Sequence, residues 1–529
     1  MNQRFHLVVG ALVASILSGC HCTQIALICQ SNTDCTGGRV CVAGQCGFPG
    51  DGGGGDGGGG DGGGGDGGCV NLQCNQVTCP DGGTTSITGT VFDPSGAVPI
   101  YNALVYVPNG PVLPFTPGVT CDRCAAFTSG SPLVVALTGA DGTFSLRNVP
   151  VIPNGGSLPL VIQVGHWRRQ VALPGVPACT STPITDAGTT RLPQNQSEGD
   201  LPQMAIASGS ADPFQCLLLK MGISTSEFTA PGGGGRVHYF RSNGMDTSPP
   251  APRITALLDD AGTLMNYDVV LLPCEGAERR DGGPDEQNLV AYTSAGGRLF
   301  TTHYGYSWLA FPENAPFFTT GVWAPGSCDA YNAPLPGLPT TVDQTFLKGA
   351  SFAQWLVNVG SSTDAGTLNL IESRHDLLFT DGGSQRWLYT NIPNAISNCT
   401  TQPQPAVLHM TFNTPLNPPP LPDGGAGNQC GRVVYSDFHV SANAAGTGTF
   451  PGACNPGPLT AQEKALLFML LDVSSCVQSD NATCATLGQS CSPNPCCSPP
   501  PGQPPLRCVD PSGQACGASG SCTCQPGLR

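Results

Sequence analysis

Tyr267-Asp268-Val269-Val270-Leu271-Leu272-Pro273-Cys274-Glu275-Gly276 is the stretch that decides the fold. Its apolar run is continuous where a half-exposed strand would alternate, which marks a strand buried on both faces, as in parallel sheets. Upstream, Met204-Ala205-Ile206-Ala207 is a short apolar strand ending at Ser208-Gly209-Ser210. Residues 213–221 then read as a helix, 236–240 as a strand and 254–265 as a helix. Downstream, a helix over 285–294 is stopped by Ala295-Gly296-Gly297, and Arg298-Leu299-Phe300-Thr301-Thr302 is the next strand. Further strand runs fall at 368–371, 406–412 and 431–437. A closing helix over 461–471 starts behind the capping box Thr460-Ala461-Gln462-Glu463. The alternation predicts a doubly wound, flavodoxin-like α/β domain with strand insertions over 201–477.

The rest of the chain is different in kind. Of 529 residues, 72 are glycine and 50 proline, so much of the length lies outside any packed core. Only 11% of residues are charged and the net charge is -15, with no basic stripe. That excludes a nucleic-acid partner, because phosphate binding needs clustered Lys and Arg. The 40% hydrophobic content excludes global disorder.

The first twenty residues follow the secretory pattern, with Arg4 in a polar start, an apolar run over 7–17 and small residues before Cys20. The run is too short to span a bilayer. Leu17-Ser18-Gly19-Cys20 resembles the lipobox of bacterial lipoproteins. The resemblance implies cleavage before Cys20, acylation of its thiol and amine, and a membrane partner held through the lipid. The competing reading is ordinary signal cleavage beside a disulfide cysteine. His21 stands where Asp would resemble an inner-membrane retention signal, so the outer membrane or cell surface is the expected location. The 27 cysteines are odd in number, and setting Cys20 aside leaves 26, which suits bridging in an oxidising compartment.

After the 1–20 signal, residues 21–48 form a disulfide-rich segment with little apolar periodicity. Residues 49–68 form an Asp/Gly linker with Asp51, Asp56, Asp61 and Asp66 five apart, read as a flexible tether because the apolar residue of a calcium repeat is missing. A cysteine-containing connector covers 69–85. Residues 478–529 form a second disulfide-rich module.

Between connector and α/β region, 86–185 reads as a small β-sandwich. Ile87-Thr88-Gly89-Thr90-Val91-Phe92-Asp93, the turn Pro94-Ser95-Gly96, Ala103-Leu104-Val105-Tyr106-Val107 and Ala140-Asp141-Gly142-Thr143-Phe144 carry the pattern. At these residues it resembles the carboxypeptidase regulatory-like (transthyretin-like) domain, which implies a spacer or adhesion module without peptidase residues. It departs from that pattern in an insertion holding Cys121-Asp122-Arg123-Cys124. With Cys179 and His166, that pair could form a redox or zinc motif, but no strand-to-helix context accompanies it, and structural bridging among the three cysteines and a neighbour is expected.

In open α/β sheets ligands gather beyond the carboxyl ends of the strands. Three such loops stand out: Pro273-Cys274-Glu275-Gly276, Thr302-His303-Tyr304-Gly305-Tyr306 and Asp437-Phe438-His439-Val440-Ser441. Together they resemble the class I glutamine amidotransferase-like superfamily, including its trehalose-utilisation-type domains. The resemblance implies an oxyanion loop, a nucleophile elbow and a loop with a catalytic histidine. His439 follows Phe438 as that histidine does. Ser441 takes the place of its orienting carboxylate, and His303 stands where the cysteine nucleophile belongs, so the resemblance does not extend to glutaminase chemistry.

Two functional expectations follow. The first is a surface-anchored, non-catalytic binding or adhesion lipoprotein that needs no cofactor, with Tyr304, Tyr306, Trp308 and Trp323 lining a groove for a glycan or extracellular peptide. The competing view of these rings is that they cap the sheet core. The second is a metal-dependent hydrolase in which His303, His439 and Glu275 converge on zinc as two imidazoles and a carboxylate, with Cys274 as an optional further ligand. That last role requires Cys274 not to be bridged to Cys216 or Cys328. Arg374-His375-Asp376 is a polar turn that could add a ligand contact.

Overall fold

The computed structural model describes residues 40–42 and 45–47, most of 69–477, and beyond that 491, 496, 506–510 and 522–526. Gaps inside 69–477 include 280–283, 325–337, 393–403, 420–426 and 441–448. The signal segment with Cys20, the 49–68 linker, Cys328 and Ser441 lie outside the described residues. The chain divides into two units, Met1–Gly68 and Cys69–Arg529. In the first, Val40–Val42 and Gln45–Gly47 pair as an antiparallel hairpin.

In the second unit, Val269–Leu272 is buried along its whole length and lies inside a ten-stranded mixed sheet. Six strands run parallel, in the order Phe228–Thr229, Val237–Phe240, Met204–Ala207, Val269–Leu272, Arg298–Thr302 and Gly431–Ser436. Four antiparallel strands then extend the sheet: Gln404–Thr414, Gln385–Ile392, Leu338–Val342 and Thr367–Leu370. The expected helices are present as Phe214–Lys220, Asp285–Ala295 and Ala461–Ser474. The helix expected over 254–265 is instead two single turns, Thr255–Leu258 and Ala261–Leu264. Asp260 breaks it, because its side chain accepts from the N–H of Gly262 and starts the second turn afresh. Ala461–Ser474 has the expected capping box, with Thr460 Oγ1 accepting from Glu463 N at 3.2 Å and Glu463 returning to Thr460 N at 2.8 Å.

The N-terminal half of this unit holds two smaller sheets. Thr143–Arg147, Ser86–Thr90 and Ser181–Pro183 form one, and Pro132–Leu137, Leu104–Pro108, Ser157–Val164 and Trp167–Pro174 the other. Phe144 and Leu146 are buried while Thr143, Ser145 and Arg147 between them are exposed, the alternation of a strand with one face on a core. That core contains Ile87, Val105, Leu160 and Ile162, and continues without a break into Leu467 and Phe468 of the last helix. Trp355 Nε1 donates to Pro99 O at 2.8 Å across the same junction.

Disulfides bind these parts more widely than spacing suggested. Cys121 and Cys124 pair neither with each other nor with Cys179. Cys121 joins Cys430, Cys124 joins Cys476 and Cys179 joins Cys79. His166 is held between Asp122 and Asp268, so the redox or zinc motif considered there is replaced by staples and an ion cluster. Cys216 pairs with Cys454, and Cys274 keeps a free thiol.

Candidate metal centre

Three consecutive parallel strands each deliver one donor residue at their carboxyl ends. Val269–Leu272 leads to Cys274, Arg298–Thr302 to His303 and Gly431–Ser436 to His439. His303 opens the turn His303–Trp308 with φ 36°, a left-handed conformation that a non-glycine residue adopts only when its surroundings enforce it. Gly305 lets that turn close, since a Cβ there would lie 1.6 Å from Thr301 Oγ1.

His303 Nδ1 lies 3.2 Å from Cys274 Sγ and 2.9 Å from His439 Nε2. One donor atom from each of the three residues falls within 4.8 Å of the others. Around a tetrahedral zinc, bonds of about 2.0–2.1 Å to nitrogen and 2.3 Å to sulfur set edges of about 3.3 Å between nitrogens and 3.6 Å from nitrogen to sulfur. The two edges that meet at His303 Nδ1 therefore need to lengthen by only about 0.4 Å to match such an ion.

The supports are buried and specific. Cys274 N donates to Thr302 Oγ1 at 3.0 Å, and Gly276 N donates to Cys274 Sγ at 3.4 Å. Tyr435 OH lies 3.1 Å from His303 O and 2.9 Å from Asp437 Oδ1, so its single proton is shared between these two acceptors. The other oxygen of Asp437 accepts from Asp376 N at 2.7 Å, which brings Asp376 Oδ2 to 3.7 Å from His303 Nε2. Gln462 Nε2 donates to the His439 carbonyl.

Asp212, Asp376 and Asp437 are all buried around the donors, and Arg374 is buried beside them. Burial pushes the Asp212 and Asp437 carboxyls up from their ordinary values. It also pushes the Cys274 thiol up; the charge of Asp212 adds to this, while N–H groups of Gly276 and Tyr304 oppose it. A thiol with no exposed surface, 0% for Cys274, is poorly placed to attack a substrate but well placed to serve as a ligand.

Glu275, expected with the histidines, instead faces Arg279 at 3.6 Å, and the optional ligand Cys274 is the residue that stands with the two histidines. The aromatic groove also needs correction. Tyr306 and Trp308 are 0% and 4% exposed, because the His303–Trp308 turn folds both rings inward. Tyr306 OH donates to Glu278 at 2.7 Å. Tyr304, tilted against the His303 ring with centroids 4.1 Å apart, and Trp323, edge-on to Tyr435, remain partly exposed. The polar turn at 374–376 does reach the site, through Asp376. Asp212 had no sequence signal beyond following a strand end.

No family model and no curated protein matches the chain. Solved structures share part of it. A cytoplasmic protein from Salmonella typhimurium LT2 is 11% identical, with 51% of this chain and 99% of that chain covered and a TM-score of 0.27. A protein described as ThuA-like from Bacteroides uniformis is 10% identical, with 50% and 88% covered and a TM-score of 0.26. Another cytoplasmic protein from Salmonella typhimurium is 11% identical, with 46% and 90% covered and a TM-score of 0.23. These are partial likenesses at low identity and assign no activity to this chain.

Proposed function

We propose that the α/β region is a metal-dependent hydrolase holding zinc, or a dication of similar softness, through Cys274, His303 and His439. The convergence of three donor atoms from neighbouring strand ends carries this reading. A thiolate with two imidazoles is a zinc-binding set that leaves a fourth position open. Asp212, Asp376 and Asp437 place three buried carboxyl groups around the donors, and a dication among them would offset the burial that disfavours their ionised forms.

When bound, the ion supplies Lewis acidity and an activated water. The chain's own residues do the rest. Asp376 places a carboxyl 3.7 Å from His303 Nε2, Asp437 and Tyr435 fix the turn that carries that ring, and Gln462 fixes the His439 backbone. His439 is the most open of the three ligands and marks the side from which a substrate would approach.

The strand order supports a finer reading of the fold. Numbered along the chain from Met204–Ala207, the five longer parallel strands lie in the order 2-1-3-4-5, the doubly wound flavodoxin-like order. We assign the 86–185 region to a regulatory-like sandwich, and the whole chain to an exported lipoprotein acylated at Cys20 and displayed at the outer membrane or cell surface. Cys20→Ser is expected to release the protein from membranes, and unchanged membrane association would refute the anchor.

Elemental analysis with an activated-ester hydrolysis assay tests the enzyme reading. The expected result is one equivalent of zinc, with metal and hydrolysis lost together in a His303→Ala, His439→Ala double variant. A metal-free, inactive protein that still takes up a glycan or extracellular peptide saturably would return the chain to the binding reading, with Tyr304 and Trp323 as its exposed rings.

A further inference from the structure

The three ligand loops come from different strands, so something must fix their spacing. Asp212 lies on the loop after a fourth neighbouring strand, Met204–Ala207, and is 0% exposed. Its Oδ2 accepts the hydroxyl of Thr302. Its Oδ1 accepts the N–H of Val440 at 2.8 Å. The Thr302 hydroxyl in turn accepts the N–H of Cys274 at 3.0 Å. Thr302 directly precedes His303, and Val440 directly follows His439. One buried carboxylate thus reaches all three ligand loops: the backbone of one at Val440, the side chain of Thr302 in the second, and through that hydroxyl the backbone of the third at Cys274. Ala211 N, the residue before it, donates to Cys274 O at 3.3 Å and ties the same two loops again.

We propose that Asp212 is the positioning residue of the Cys274–His303–His439 set, acting through Thr302 and Val440 to hold the three donors at binding distance. This rests on the metal reading above. Asp212 need not touch the ion. Its work is done by two acceptor oxygens held in one place, which spares the ion the cost of ordering the loops on binding. Outer supports of this kind are worth about 10–100-fold in metal affinity.

The test is a cobalt(II) titration of the mature full-length protein against a competing chelator, for wild type, Asp212→Asn, Thr302→Val and Thr302→Ser. Asp212→Asn keeps the shape and an acceptor for Val440, but presents an amide to a hydroxyl that already accepts from Cys274. Its Kd is expected to weaken 10–100-fold. Thr302→Val is expected to do the same, Thr302→Ser to stay near wild type, and the Asp212→Asn, Thr302→Val double variant to be little worse than either single change, because both cut one chain of contacts. A folded Asp212→Asn with wild-type Kd overturns the proposal, and so does a lower melting point of the metal-free protein with no change in Kd. If Asp212→Asn does not fold, the Val and Ser variants at Thr302 decide: equal Kd values overturn it. Wild type that takes up no cobalt overturns the metal reading itself, a result distinct from metal binding that ignores Asp212.

Discussion

His166 joins the two halves of the main unit, and its ionisation gives the fold a defined pH dependence. It sits in the turn between Ser157–Val164 and Trp167–Pro174. Its Nε2 lies 3.0 Å from Asp122, in the cysteine-containing insertion, and its Nδ1 lies 3.0 Å from Asp268, at the entry to Val269–Leu272. Phe115 stacks on the ring at 4.4 Å, and the cationic Arg298 lines the same small cavity. Burial alone would push the imidazole down, but hydrogen bonds and charge from Asp122 and Asp268 outweigh it and raise it from 6.5 to about 9. That difference is worth on the order of 3 kcal/mol. Because the folded value is the higher one, the contribution is complete below about pH 6.5 and is lost as pH rises through 9. Asp122 is held below its ordinary value, so its share is present near neutrality and lost on strong acidification. For a unit of this size, 3 kcal/mol corresponds to a melting shift of about 3 °C. Calorimetry of wild type and His166→Gln from pH 6 to 10 should show their melting points about 3 °C apart at pH 6 and converging by pH 10. Parallel curves would refute a charged His166 at this junction.

Three further outcomes follow from the same structure. With Cys121–Cys430 intact, removing Cys124–Cys476 by paired Ala substitutions opens a loop of roughly fifty residues and should cost about 4 kcal/mol, read by urea unfolding; a loss under 1 kcal/mol would contradict the pairing. Asp472 lies 2.8 Å from Lys348 and 2.9 Å from Arg432, which is 2% exposed, so Asp472→Ala strands a buried cation and should cost about 3–5 kcal/mol, whereas replacing Arg432 and Asp472 together with apolar residues should cost less. Gly305→Ala must push the His303 turn off Thr301, so cobalt affinity should fall at least tenfold, and wild-type affinity would show that the turn does not set the ligand geometry.

Five of the six parallel strands were legible from short, largely apolar runs, the two-residue Phe228–Thr229 being too short to show one, and the rule that sites gather at their carboxyl ends pointed to the three loops that converge in the structure. What stayed hidden depends on distance in space. Cys274 is one of 27 cysteines, and nothing in its neighbours separates a ligand from half of a disulfide; that needed Cys216 to be seen paired with Cys454. The substitution of His303 for cysteine at the elbow suggested that the loop had lost its sulfur, yet a sulfur lies 3.2 Å from His303 Nδ1, supplied by the next strand. Asp212 stands 90 residues from the Thr302 it binds. Tyr306 and Trp308 were expected at the surface because a one-turn segment carries no periodicity from which to read an inward face. The helix Leu347–Asn358 and the strand Gln385–Ile392 escaped notice for a related reason: each buries only part of its length, and neither shows the continuous apolar run of the central strands.

The central claim is that Cys274 and two histidines bind one metal ion together. The absorption spectrum of the mature protein loaded with cobalt(II), compared with Cys274→Ser, tests it most directly. One equivalent of tetrahedral cobalt with a thiolate charge-transfer band, absent from the serine variant, is the predicted result. A protein that binds no cobalt, or a band that survives loss of the Cys274 sulfur, would contradict it.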